Sequence, residues 1–324
     1  MPSIRRLPLV SLIATLSIAS AARAGAQSLD VWVASQLDAL SAKTSIYAKH
    51  LPSGRTLALR ADVPMNTLSV IKIPVMILAF RDAEAGKLDL TKRYTIRAED
   101  LRRGSGLLQT FDVGLSPTYR DIIEQMIITS DNTATDILIG KVGLKAVNDM
   151  LVRFGFKQTR LNSTTGALFR EVWVRADPKN ASMTDREVFE KGFPTNPESA
   201  ARSFALEGDS TKWLGVTTAR EIVTMLEGIL DAKYASKAHS QMMVDMMGRQ
   251  FYASRLPRRA QYKGVHVAHK TGDWPPIAGN DVGILFYQGG PTVVGIFTGQ
   301  NKGDFVELEA LEGRIAERLA TEWK

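Results

Sequence analysis

The chain has 324 residues with 44% hydrophobic and 23% charged side chains, ordinary usage for a globular protein, which excludes wholesale disorder and a fibrous repeat. Lys and Arg exceed Asp and Glu by 41 to 34, a net charge of +7 with no basic stripe, so the balance does not point to nucleic acid and agrees with a small anionic substrate. Cysteine is absent and histidine numbers 4, which argues against a zinc site or a disulfide framework; neither a metal nor a cofactor is expected.

Residues 1–26 read as a signal peptide. Arg5 and Arg6 precede an apolar run from Leu7 to Ala22, and Ala-X-Ala sites follow at Ala22-Arg23-Ala24 and Ala24-Gly25-Ala26. Three of the seven net positive charges, Arg5, Arg6 and Arg23, belong to this segment. The run is shorter than the roughly 20 strongly apolar residues a membrane span needs. The expected mature form is periplasmic or secreted, monomeric, and not inserted in a membrane.

The remainder, 27–324, reads as one α/β unit. Residues 28–42 have helical spacing, and strands at 44–50 and 55–60 flank Pro52-Ser53-Gly54 as a hairpin. Helical patterns follow at 70–86, 118–130, 132–142 and 144–154, with Gly104-Ser105-Gly106 and Gly114 marking the loop between the first two. Two more helices are expected at 217–230 and 239–249, strands at 263–270, 280–288 and 291–300, and an amphipathic helix at 304–323. Strands at both ends around a helical middle predict one antiparallel sheet, with a sheet part of about 27–62 and 217–324 and a helical part of about 63–216.

Three short motifs carry chemistry. In Ser69-Val70-Ile71-Lys72, an i, i+3 spacing on a helix sets the lysine amine beside the serine hydroxyl, and the helix start offers unpaired N–H groups to an oxyanion. Ser130-Asp131-Asn132 puts a second hydroxyl and an amide at a helix junction, where a plain helix cap is the alternative. Lys270-Thr271-Gly272 puts a cation, a hydroxyl and a residue without Cβ at a strand end, where an ordinary turn is the alternative.

Together and in this order, Ser-X-X-Lys, Ser-Asp-Asn and Lys-Thr-Gly resemble the class A β-lactamase family of active-site-serine hydrolases over nearly the whole mature chain. SVIKIPVM, GSGLLQ, SDNTATDILI, the RLP at 255–257 and Asn280-Asp281-Val282-Gly283 support the resemblance. It implies a β-lactamase/transpeptidase-like fold: a five-stranded antiparallel sheet with flanking helices, an all-helical subdomain, and a groove between them. It implies catalytic roles for Ser69 as nucleophile, Lys72 as its proton partner and Ser130 as a relay to the leaving nitrogen. Asn132 would hold the substrate amide, Lys270 and Thr271 its carboxylate, and the N–H groups of Ser69 and Asp273 the oxyanion.

Two departures stand out. The family's Arg-Leu-Asp-Arg-X-Glu-Pro-X-Leu-Asn run carries the glutamate that activates the deacylating water. Here Thr159-Arg160-Leu161-Asn162-Ser163-Thr164-Thr165-Gly166 has Thr165 in the glutamate's place, and a long loop over 163–215 follows. Of the acids in it, Asp177, Asp185, Glu187, Glu190, Glu198 and Glu207 read as solvated loop charges, and Glu171 is the nearest candidate for the missing base. The second departure is Asp273 after Lys-Thr-Gly, whose carboxylate would repel a substrate carboxylate or partner a cationic group. Phe169, Trp173 and Trp213 either line a cleft or tack the loop down, and Met225, Met242, Met243, Met246 and Met247 read as core. The leading expectation is β-lactam hydrolysis through an acyl-enzyme, slowed at deacylation. The alternatives are a D,D-peptidase or esterase, a β-lactam-binding module without turnover and, more distantly, a glutaminase.

Export predicts cleavage after Ala24 or Ala26. N-terminal sequencing of the exported protein should therefore begin at Gly25 or Gln27, and an intact Met1 in the functional form would contradict it.

Overall fold

The computed structural model describes residues 28–323, so the leader-like segment lies outside the described residues. The chain enters through α1 (Leu29–Ala39) and the hairpin of β1 (Lys43–His50) and β2 (Thr56–Leu59). A short β3 (Met65–Asn66) leads through a 3₁₀ turn, Leu68–Ile71, into α2 (Lys72–Glu84). Pro74 falls in the first turn of α2, where its missing N–H would have had no helical partner. Next come α3 (Tyr119–Ile128), α4 (Asn132–Val142), α5 (Leu144–Arg153), β4 (Arg160–Leu161), α6 (Thr165–Ala176), α7 (Asp185–Lys191), α8 (Ser199–Gly208) and β5 (Gly215–Thr217). The chain closes with α9 (Ala219–Leu230), α10 (Lys237–Gly248), the single turn α11 (Pro257–Ala260), β6 (His266–Trp274), β7 (Ala278–Phe286), β8 (Thr292–Gly299) and α12 (Phe305–Glu322).

The main sheet runs β2-β1-β8-β7-β6, antiparallel throughout, so the first hairpin joins the last three strands through the β1–β8 pairing, Ile46 opposite Ile296. Both faces are covered, which is why these strands read as nearly continuous apolar runs. Along β8, Val293 and Phe297 face the core shared with α2, α3, α4, α9 and α10. Val294 and Ile296 face the core shared with α1 and α12. Met225, Met243, Met246 and Met247 are buried in the first of these cores, and Met242 packs at its edge.

Three expectations are corrected. The 163–215 region is not a long loop but three helices and a strand. Thr164 caps α6 by accepting from Ala167 N, and Thr184 with Glu187 forms a capping box on α7. The third strand begins at His266 rather than 263, because residues 257–263 are wound into helical turns opened by Pro257. That strand continues through Lys270-Thr271-Gly272 to Trp274, so the tripeptide lies inside an edge strand and not at its end.

Glu207 is not a solvated loop charge either. Only 2% exposed, it accepts from Gln300 N (3.0 Å) and Gln300 Nε2 (2.7 Å) at the end of β8, docking α8 on the main sheet. Burial pushes its carboxyl up, opposed by the Gln300 donors. Trp213 Nε1 donates to Glu207 O and Trp173 Nε1 to Gly192 O, so both tryptophans tack the segment down.

Replacing Glu207 by Ala should cost about 1–3 kcal/mol, the range for a lost buried charged hydrogen-bond group. Hydrogen exchange should quicken across α8 while β1 and β6–β8 stay protected; a uniform change across the molecule would contradict this docking role.

Candidate active site

Ser69 lies in the 3₁₀ turn ahead of α2, and Lys72 is that helix's first residue. Residues three apart eclipse in a 3₁₀ turn, which preserves the Ser–Lys juxtaposition expected from an α-helix. Leu68 enters the turn at φ +46°, an uncommon backbone region for a residue with a side chain. The turn is held from the sheet side: Asn280 Nδ2 donates to Asn66 O (2.9 Å), and Leu68 N donates to Asn66 Oδ1 (3.2 Å). Gly272 is required here, since a Cβ would fall 2.6 Å from Thr67 O.

Ser130 joins α3 to α4 at φ +55°. In that conformation its carbonyl accepts from Lys72 Nζ (2.7 Å) and Ser105 Oγ (2.6 Å). Its hydroxyl lies between two lysines, 3.2 Å from Lys72 Nζ and 2.9 Å from Lys270 Nζ. Lys72 also donates to Asn132 Oδ1 (2.8 Å), and Asn132 Nδ2 donates to Arg103 O (2.9 Å). Asp131 turns inward, caps α4 through Ala134 N (2.9 Å) and takes Leu108 N (2.7 Å). Lys72, Ser130, Asn132 and Lys270 thus meet at one seam between the helical layer and β6, with Ser69 in the turn just before Lys72.

Both lysines are wholly buried. Desolvation, then the Lys270 charge, holds Lys72 well below its ordinary value. Desolvation brings Lys270 down to about 7, against the pull of Asp273 and Asp281. The downward shift of Lys72 is in the direction a general base needs.

Ser69 opens into a cavity of about 450 Å³. Ser105, Asn132, Thr165 and Asp273 line it with polar groups, Leu168, Phe169, Val172, Phe193 and Leu206 give it an apolar wall, and Arg175 and Arg202 also line it. The apolar wall comes from the segment read as a loop. Phe169 stacks edge-to-face on Phe193 at 5.1 Å, so of the three loop aromatics Phe169 lines the cleft. The i, i+3, i+4, i+7 spacing of Thr165, Leu168, Phe169 and Val172 was the sequence signal for this wall.

Thr165, where the family's glutamate would be, is buried in the cavity wall with its hydroxyl 3.4 Å from Asn132 O. The start of α6 is bolted to α4 by Asp136, which accepts from Thr165 N (2.8 Å), Gly166 N (2.9 Å) and Arg102 Nε (2.7 Å). Glu171 is held by Arg175 (3.3 Å) and Lys212 (3.1 Å) at the border of α6's cavity face.

Asp273 is tied to Arg255 rather than left to repel or recruit a charge. Arg255, Asp136 and Ser105 each lie in a stretch that supported the resemblance, but the sequence did not mark their partners, which are distant in the chain.

Comparison with known proteins places these motifs in context. Residues 30–323 match the model of the Beta-lactamase enzyme family. Beta-lactamase L2 of Stenotrophomonas maltophilia is 28% identical over 184 residues, 54% of this chain and 57% of that one, so the match spans little over half of that relative. A beta-lactamase structure from Sphaerobacter thermophilus superposes with a TM-score of 0.71 at 27% identity, covering 91% of this chain and 97% of that one. A mutant of PBP-A, solved as an acyl-enzyme with penicillin G, shares the fold at a TM-score of 0.69 and 21% identity, over 91% and 96% of the two chains.

The Lys270 amine, at about 7 when folded and near 10.4 when unfolded, links stability to pH. Between those values the unfolded chain takes up a proton that the native state does not, so stability rises with pH through this window. Urea unfolding at pH 7 and pH 9 should show the unaltered protein gaining on Lys270→Met as pH rises; a pH-independent difference would contradict the low value.

Proposed function

Because the chain belongs to the Beta-lactamase enzyme family, we propose that it is an exported active-site-serine hydrolase that forms an acyl-enzyme on Ser69 with β-lactams and releases it slowly. The observation carrying this reading is the Ser130 hydroxyl set between Lys72 and Lys270, with Lys72 bonded to Asn132, which together with Ser69 lines the cavity. In acylation, neutral Lys72 takes the Ser69 proton as Oγ bonds to the lactam carbonyl carbon, and the N–H groups of Ser69 and Asp273 receive the oxyanion. The carbonyl–nitrogen bond then breaks, Ser130 gives its proton to the departing nitrogen, and the proton on Lys72 replaces it. Asn132 positions the acyl amide, and Lys270 with Thr271 holds the substrate carboxylate. The apolar wall of the cavity suits a bulky apolar acyl substituent.

Deacylation needs a base aimed at a water beside the ester. Thr165 has no basic group at neutral pH, and Glu171 is engaged by two cations. A positioned general base contributes about 10²–10⁴-fold, so turnover is expected to be limited at this step. The same observation supports a second reading, a β-lactam-binding protein or D,D-peptidase whose β-lactam adduct persists.

Intact-protein mass spectrometry after mixing with benzylpenicillin tests both. An adduct should form on the unaltered protein and not on Ser69→Ala, whose activity should fall on the order of 10⁴–10⁶-fold. Product release should show a burst of one equivalent followed by a slow steady state. An adduct that never decays selects the second reading. Fast turnover without a burst contradicts the missing-base argument, and no adduct at all contradicts acylation by β-lactams.

A further inference from the structure

Asp273 directly follows Lys-Thr-Gly, its side chain is 34% exposed, and it lines the cavity that holds Ser69. A free carboxylate there would oppose an anionic substrate. We propose that Arg255 is a positioning residue for substrate recognition: by holding the Asp273 carboxylate it frees Lys270 and Thr271 to take the substrate's carboxylate. This rests on the reading of Lys270 and Thr271 given above.

Arg255 is buried, with 1% of its side chain exposed, beneath the edge of the sheet. Its Nη2 donates to Asp273 Oδ1 and its Nη1 to Glu309 Oε1 at 3.0 Å. Its Nε makes no hydrogen bond among the described residues, and Glu312 lies 4.0 Å away with both oxygens likewise unpartnered. Burial pushes the Glu312 carboxyl well above its usual range, against the Arg255 charge. The hydrogen bonds from the guanidinium to carboxylates go to Asp273 and Glu309.

The surroundings are shaped for this reach. Gly279 pairs with Asp273 across β6 and β7, and a Cβ there would fall 3.1 Å from Arg255 Nη1. Both chain neighbours of Arg255 are fastened: Ser254 Oγ donates to Glu309 Oε1 at 2.5 Å and Leu256 N to Asp281 Oδ2 at 3.0 Å. Asp281 in turn is bonded to the His269 ring at 2.8 Å, next to Lys270. A guanidinium fixed at both ends and buried along its stem has one direction to point, and Asp273 lies in it. Both charges of the pair reach the site: Asp273 raises the pKa of Lys270 and of Lys72, and Arg255 lowers that of Lys270.

The test compares second-order acylation by benzylpenicillin and by its carboxyl methyl ester. Arg255→Met should slow the reaction with the acid by about tenfold or more and with the ester by less than about threefold, through KM rather than kcat. Adding Asp273→Asn should restore most of the loss. Equal losses on both compounds, or no recovery in the double variant, would overturn the proposal. If Arg255→Met fails to fold, Arg255→Lys decides: keeping the charge but losing the planar fork, it should slow the acid more than the ester, and equal losses on both compounds would overturn the proposal. No adduct in the unaltered protein with either compound overturns the acylation reading, and this inference with it. An adduct with insensitive variants overturns this inference alone.

Discussion

Two lysine side chains with no solvent exposure converge on one serine hydroxyl, and the rest of the site depends on keeping them there. Burying an amine disfavours its charge, and burying two together disfavours it further. The fold meets that demand with carbonyls and an amide: Ser130 O and Asn132 Oδ1 for Lys72, and Thr271 O for Lys270. Burial of the two lysines shifts both amines downward, the direction that favours the neutral form.

The convergence requires the two layers to approach closely. Lys72 comes from the first turn of α2, Lys270 from the middle of β6, and Ser130 from a strained junction at φ +55° between α3 and α4. Absence of a Cβ at Gly272 lets β6 pass against Thr67, and Asn280 ties the Ser69 turn to β7. Strain at Ser130 is sustained because its carbonyl and hydroxyl are both engaged.

The α6–α8 segment gives the seam its distinct character. Its first turn, pinned by Asp136 beside Asn132, puts Thr165 in the cavity wall, and its apolar residues give the cavity an apolar wall. The acids of this segment are turned to structure: Asp185 pairs with Arg102 and Arg170, Glu171 with Arg175 and Lys212, and Glu207 accepts hydrogen bonds from Gln300. A region rich in acids thus encloses a pocket while leaving none of these three carboxylates unpartnered.

Order and type of element were legible in the sequence wherever periodicity was strong. The helix at 132–142 has the same bounds in sequence and structure, and the pairing of the first hairpin with the last three strands followed from their antiparallel signals. The members of the site were legible because three short motifs hold their chemistry within a few residues each. What lay beyond reach was decided at long range. The helices of 165–208 were obscured because the segment departs from the family's pattern, although Thr164 and Thr184 were ready caps. The fate of Asp273 depended on Arg255, eighteen residues away in the bend ahead of α11, and that of Glu207 on Gln300, ninety-three residues away. A carboxylate's chain neighbours do not say whether it meets solvent, a cation or a backbone amide. Only packing settles that, because an ionic partner is chosen by proximity in space and by the desolvation that proximity imposes.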